Sequence, residues 1–254
     1  MPTFMTSTQV ITMTLSRLFR LSLVAIGTVL WLFSLPAHAA ASGGIPADIE
    51  QRLAACAQCH GKQGQGVADD THTPHLAGKP AGYLYQQLQA FRAGKRSHAP
   101  MQYVVKQLSD DYLKVISRYY AAQPIVYEPE QVTATQAELE RGEQLAKQGD
   151  GQIPSCESCH GPRLTGVAPM IPGVVGLSYD YLHRQLKLWH DNKRAADGTH
   201  CMWVVANRMN ANDLKAVALW LAAQPIPDDP SLISEDELAE PLPGWCGIKH
   251  EEVN

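Results

Sequence analysis

Apolar residues recur along this chain at helical spacing and nowhere alternate convincingly with polar ones, so the pattern predicts an all-α fold. Leu84, Leu88 and Phe91 define one apolar face, and Leu182, Leu186 and Trp189 define a second with the same spacing. Leu113, Ile116 and Tyr120 follow Ser109, a candidate N-cap. Leu214, Val217 and Leu221 follow Asn210 and Asn212, either of which would cap the matching helix. A short helix is expected from Asp48 to Ala55 and a longer counterpart from Glu138 to Lys147. The Gly- and Pro-rich stretches between them are expected to be loops.

The helices come in pairs because the sequence is written twice. Cys56-Ala57-Gln58-Cys59-His60 is repeated as Cys156-Glu157-Ser158-Cys159-His160. From Pro74 to Arg96 the matches hold at an offset of 98: Pro74 with Pro172, Gly78 with Gly176, Tyr83-Leu84 with Tyr181-Leu182, Gln87-Leu88 with Gln185-Leu186, and Lys95-Arg96 with Lys193-Arg194. The offset then becomes 101, aligning Met101 with Met202, Leu113-Lys114 with Leu214-Lys215, and Ala121-Ala122-Gln123-Pro124 with Ala222-Ala223-Gln224-Pro225. This is a tandem duplication of a unit of about 90–100 residues, an ordinary domain size. The expected domains are 40–124 and 136–225, with a Pro129-containing linker at 125–135 and a Pro- and acid-rich tail at 226–254.

Ahead of the repeats, Arg17 and Arg20 precede an apolar run from Leu21 to Leu35 that closes on Pro36-Ala37-His38-Ala39. A basic start, an apolar centre and an A-x-A site predict a signal peptide over 1–39, with Met13 a second plausible start. The alternative is an uncleaved anchor, against which the run is short and carries Ser22, Gly27, Thr28 and Ser34. Cleavage would leave a soluble or loosely membrane-associated product in an oxidising compartment, in a bacterium the periplasm. It would also lower the formal charge from −4 to −6.

With 45% hydrophobic and 18% charged residues, the chain is neither disordered nor coiled-coil nor collagen-like. The acidic balance leaves no footprint for nucleic acid. Aromatics are only 7% of residues, too few for a core built on large rings unless something else fills the centre.

The repeated motif supplies that something. C-x-x-C-H marks covalent haem attachment: two thiols add across the vinyl groups of one porphyrin and the adjacent histidine lies under the iron. The chain's own composition predicts about 0.005 chance matches, and two occur at equivalent places. A thioredoxin-like pair would need a βαβ pattern, and a zinc site would need ligands shared between units that each look complete. Cys56, Cys59, Cys156 and Cys159 are therefore the expected attachment points of two haem c groups, with His60 and His160 as iron ligands. Met101 and Met202, each expected in a loop just before the helix ending in Ala-Ala-Gln-Pro, are the candidates for the opposite face. His98 and His200 compete for that place but do not keep the register, whereas Met170 and Met209 lack counterparts and read as packing. Histidine–methionine ligation raises the haem potential and closes the sixth position, leaving one-electron transfer without bond chemistry.

Other residues carry two readings each. A backbone carbonyl at Pro74 or Pro172 could accept the histidine Nδ1 proton, or the prolines could simply turn the chain. Lys95, Arg96, Lys193 and Arg194 could pair with haem propionates or form a solvated basic face. Tyr83, Tyr181, Phe91 and Trp189 read as ring-packing core rather than electron relays. Cys201 and Cys246, left over, most simply pair with each other and pin the tail across the second haem. The sharper alternative makes Cys201 a thiolate ligand or a substrate-binding thiol.

The two C-x-x-C-H-G motifs resemble those of the cytochrome c4 family, exported two-haem cytochromes of two class I domains. So do Leu76-Ala77-Gly78, Gly94-Lys95-Arg96, Ala99-Pro100-Met101 and Gly151-Gln152-Ile153-Pro154. The resemblance spans residues 45 to about 225. It implies two class I cytochrome c domains, axial pairs His60/Met101 and His160/Met202, and haems facing each other across an interdomain contact. It also implies redox protein partners: a quinol-oxidising complex, a terminal oxidase, or a periplasmic dehydrogenase feeding in electrons. The second unit departs from the pattern with Thr199-His200-Cys201-Met202 in place of Ala-Pro-Met. The rival class is a dihaem enzyme, a peroxidase or thiosulfate-type oxidoreductase, with an open or cysteine-ligated haem.

Overall fold

A computed structural model describes residues 45–67, 70–194, 201–246 and 253; the expected signal segment 1–39 lies outside them. The fold is helical. The first half runs through α1 (Ile49–Arg52), α2 (Ala54–His60), α3 (Ala81–Arg92), α4 (Ala99–Val105) and α5 (Asp110–Ala121). The second half repeats the plan with α6 (Gln136–Lys147), α7 (Glu157–His160), α8 (Tyr179–His190), α9 (Cys201–Asn207) and α10 (Ala211–Ala222). A two-stranded antiparallel hairpin, β1 (Gly166–Val167) with β2 (Ile171–Pro172), interrupts the loop expected between α7 and α8. No helix among the described residues is long and apolar enough to cross a membrane.

Local chemistry sets the helix starts. The Ser109 side chain accepts from Tyr112 N to begin α5. Asn210, rather than Asn212, begins α10, accepting from Asp213 N while Asp213 reaches back to Asn210 N. Thr135 and Glu138 make the same reciprocal box at α6. Its counterpart α1 has one turn and no side-chain cap bond from Asp48, and only Leu53 separates it from α2.

Each half has its own core. In the first, α3 packs on α5, and Leu53, Leu84, Phe91, Leu113, Ile116 and Tyr120 close together. In the second, α10 packs between α6 and α8, and Leu145, Leu182, Leu186, Val217 and Leu221 are buried. Gly142 lets α6 approach α10 closely: a Cβ there would run into the Ala216 carbonyl and sit 2.6 Å from Trp220 Cβ.

The tail is folded back rather than free. Ile233 pairs with Val167 and is buried against Val167 and Ile171, while Thr165 Oγ1 donates to Ser231 O at 2.8 Å. The segment 125–135 is also tied down. Tyr127 donates to Pro225 O at 3.0 Å, and the Glu130 carboxylate accepts from Tyr179 N at 2.6 Å.

Candidate functional site

Cys56, Cys59 and His60 lie at i, i+3 and i+4 on α2, so they share one helix face; Cys156, Cys159 and His160 repeat the arrangement where the chain enters α7. Cys56 and Cys156 are half-buried against the two cores, and burial pushes the Cys156 thiol up to about 12. Cys159 is half-buried and Cys59 exposed. The glycine after each motif leaves its helix in the left-handed region, Gly61 with φ 78° and Gly161 with φ 82°, a conformation open to glycine.

Both histidines are buried, with His60 6% and His160 7% exposed. His60 Nδ1 donates to Pro74 O at 3.0 Å and His160 Nδ1 to Pro172 O at 2.7 Å. A carbonyl can only accept, so Nδ1 carries the proton and the Nε2 lone pair of each ring is free. Burial lowers both imidazoles below their ordinary range, keeping them neutral. Of the two readings of these prolines, the carbonyl acceptor is the one the structure adopts.

A single cavity of about 540 Å³, mostly apolar, runs between the halves. His60, Met101, His160 and Met202 all lie on its wall; Cys156 and Cys159 do too, whereas Cys56 and Cys59 do not. The methionines stand on short helices, Met101 on α4 and Met202 on α9, not in loops. Pro100, in the first turn of α4, accounts for the first of these, since a proline there forfeits no helical hydrogen bond. Met170 and Met209 are buried, 4% and 3% exposed, and also touch the cavity. His98 reaches it and stacks on His72 at 5.0 Å; His200 lies outside the described residues.

Cys201 and Cys246 form a disulfide with Cα atoms 4.7 Å apart, so neither sulfur is a thiolate and the tail is pinned beside Met202.

The basic residues divide. Lys95 and Lys193 are exposed, but Arg96 and Arg194 enter the contact between the halves. Each guanidinium stacks on its own half's aromatic ring, Arg96 over Phe91 at 4.5 Å and Arg194 over Trp189 at 3.8 Å. Gln87 and Gln185 each accept from both arginines. Tyr83 and Tyr181 accept from the arginine of the opposite half. Burial alone would raise the Tyr181 hydroxyl, but the two cations outweigh it and hold it below its ordinary range. Among the described residues no carboxylate pairs with either arginine. Arg194 Nε and Trp189 Nε1, buried on the cavity wall, have no acceptor there either, which suits an occupant bearing carboxylates. Free Nε2 atoms, thioether sulfurs and an apolar wall make the rest of the cavity fit a porphyrin.

Sequence reading missed Lys79 and His75, both buried on this wall. It also missed the glutamine bridges, although the matched Gln87 and Gln185 on apolar helix faces were a signal for them.

Residues 50–134 match the family model described as Cytochrome c. The thiosulfate dehydrogenase electron acceptor of Thiomonas intermedia (strain K12) is 36% identical over 208 residues, 81% of this chain and 91% of that protein. Cytochrome c4 of Pseudomonas aeruginosa is 31% identical over 190 residues, 73% of this chain and 90% of that one. The reduced recombinant cytochrome c4 structure from Pseudomonas stutzeri superposes with a TM-score of 0.61 at 27% identity, over 72% of this chain and 99% of that one. Thiosulfate dehydrogenase TsdBA of Marichromatium purpuratum gives a TM-score of 0.59 at 32% identity over 67% of this chain, which spans only 36% of that longer one.

Fold and relatives together define an electron carrier of the c-type cytochromes, with two class I domains in tandem. The chain belongs to the cytochrome c4 family. Membership implies covalently bound haem c and redox protein partners.

Proposed function

We propose that this chain is an exported two-haem electron acceptor that takes single electrons from a thiosulfate-oxidising dehydrogenase and hands them to a further redox protein. The reading is carried by the doubled arrangement around one cavity. Each half contributes a buried imidazole with Nδ1 tied to a prolyl carbonyl and, on the same wall, a methionine in matching register. In this reading Cys56 and Cys59 hold one haem c and Cys156 and Cys159 the other. His60 with Met101 and His160 with Met202 are the axial pairs, in domains 40–124 and 136–225 joined by 125–135. Residues 1–39 direct export to the periplasm and are removed.

Bound there, haem supplies a one-electron iron couple. This chain's residues do the remaining work. The Pro74 and Pro172 carbonyls fix the tautomer and plane of each imidazole. The buried walls exclude water, and the Met101 and Met202 thioethers would hold the iron and favour its reduced state, leaving no place for oxygen or peroxide. The similarity to a thiosulfate dehydrogenase electron acceptor supports the class of donor. The rival with a cysteine-ligated haem loses its ligand while Cys201 is bonded to Cys246.

The test is expression with a haem-ligation system. Expected are two covalently held haems per chain, rapid reduction by a thiosulfate dehydrogenase with its substrate, and no thiosulfate or peroxide turnover by the chain alone. Colourless protein, haem extractable into acidified organic solvent, or turnover by the isolated chain would overturn the reading.

A further inference from the structure

The two halves are near-copies around the cavity, and Lys79 breaks their equivalence. At the offset of 98 its counterpart is Leu177. Lys79 is 5% exposed, and its Nζ crosses from the first half to donate to Gly173 O at 2.7 Å. Gly173 follows Pro172, whose carbonyl holds His160 Nδ1, so this cation sits one residue from the group that orients the second imidazole. No carboxylate among the described residues pairs with it, and burial lowers its amine to about 7.

The charges acting on the two imidazoles differ accordingly. His60 is within range of the Arg96 cation and the Asp70 carboxylate, which oppose each other. His160 feels the Lys79 cation, and no acid among the described residues offsets it. Arg96 acts on the first imidazole but is opposed there by Asp70, and both arginines share their acceptors across the contact.

Building on the two-haem reading above, we propose that Lys79 sets the order of the two electron sites, its buried cation raising the reduction potential of the second half above that of the first. Gaining an electron makes a site more negative by one charge, so a fixed cation nearby favours the reduced form. In a dry interior that attraction is weakly screened. The first electron delivered by a donor protein therefore resides in the second half, and the first half is reduced only after it.

The test is a spectroelectrochemical titration of the holoprotein at pH 6, where Lys79 is protonated, with the haem methyl proton resonances assigned to each half. In the wild type, two one-electron steps are expected, and the second-half resonances lose their paramagnetic shift first. In Lys79→Met and Lys79→Gln the upper step moves down towards the lower one, which holds its place. Reduction of the first half first in the wild type would overturn the proposal. So would an unchanged separation in either variant, or an equal shift of both steps. Haem content is read on the same samples: two haems per chain with the wrong order condemns the role of Lys79 alone, whereas fewer than two condemns the two-haem reading itself.

Discussion

Arg96 of the first half donates to the Tyr181 hydroxyl of the second at 2.9 Å, and Arg194 returns the contact through Gln87, also at 2.9 Å. The halves are thus joined by two like charges solvated by amide and phenol oxygens, with no acid among the described residues to neutralise them. Such an arrangement is costly to break from one side, because the acceptors left behind remain out of water.

Arg194→Met is therefore expected to destabilise the protein by about 2–3 kcal/mol, and Tyr181→Phe by about 1 kcal/mol. Urea denaturation of the holoproteins measures both. A double-mutant cycle between Arg96 and Tyr181 should show a favourable coupling, and strict additivity would mean that the cross-domain bond contributes nothing.

Replacing Met101 or Met202 by Ala removes one sulfur from the cavity wall. Each single variant should lose about half of the weak long-wavelength band that marks sulfur bound to ferric iron, and the double variant all of it, by the two-site reading. Retention of the full band in Met202→Ala would assign the second ligand elsewhere.

Acid should weaken the fold through His75. This ring is 5% exposed, and burial followed by the Lys79 charge holds it well below the usual imidazole range, outweighing the nearby Ala77 and Gly176 backbone groups, with which neither nitrogen makes a well-aligned hydrogen bond. The unfolded chain takes up a proton near pH 6.5 that the folded one refuses, so stability present above that pH drains away as the pH falls. This one group contributes a slope approaching about 1.4 kcal/mol per pH unit. His75→Phe, which keeps a ring beside Tyr127, should flatten the profile between pH 5 and about 6.5; an unaltered slope would place the titrating group elsewhere.

Gly142→Ala should push α6 off α10. A cost of about 1–3 kcal/mol is expected, since the obstacle is backbone and cannot rotate away. Thermal unfolding monitored in the far ultraviolet would register it.

Loss of the Cys201–Cys246 bond frees a loop of 45 residues, worth about 2–4 kcal/mol. The Cys201→Ser/Cys246→Ser double variant should show this in denaturant titrations, together with faster proteolysis after residue 226. Equal stability and equal protease resistance would mean that the contacts of Ile233 and Ser231 hold the tail without the disulfide.

Much of this was legible because the sequence repeats. Equal offsets marked Arg96 and Arg194, Gln87 and Gln185, and Tyr83 and Tyr181 as matched positions, and spacing placed a carbonyl near each histidine at Pro74 and Pro172. A repeat shows which residues are equivalent, however, not which half each one touches, so the exchange of arginine partners was invisible. Lys79 escaped for the opposite reason: with Leu177 opposite it, no repetition drew attention to it. The methionines were expected in loops because the preceding segments are rich in Gly, Pro and polar residues. A proline in the first turn is compatible with a helix, and α4 begins there. The tail read as Pro- and acid-rich, and its disulfide was foreseeable from the two cysteines left over, but the burial of Ile233 against Val167 and Ile171 was not, because one apolar residue makes no periodic pattern.

The disulfide imposes a sorting problem on assembly. By the two-haem reading, six cysteines of one chain meet an oxidising compartment; four would be wanted for thioether chemistry and two for each other. Cys246 lies 45 residues after Cys201, so their bond can close only once the intervening segment has been delivered. A premature link between Cys201 and an upstream thiol would rob a porphyrin of its tether, and such a molecule would be stranded half-loaded. Keeping those four sulfurs reduced until the cofactors arrive is thus a condition of the strap as much as of the haems.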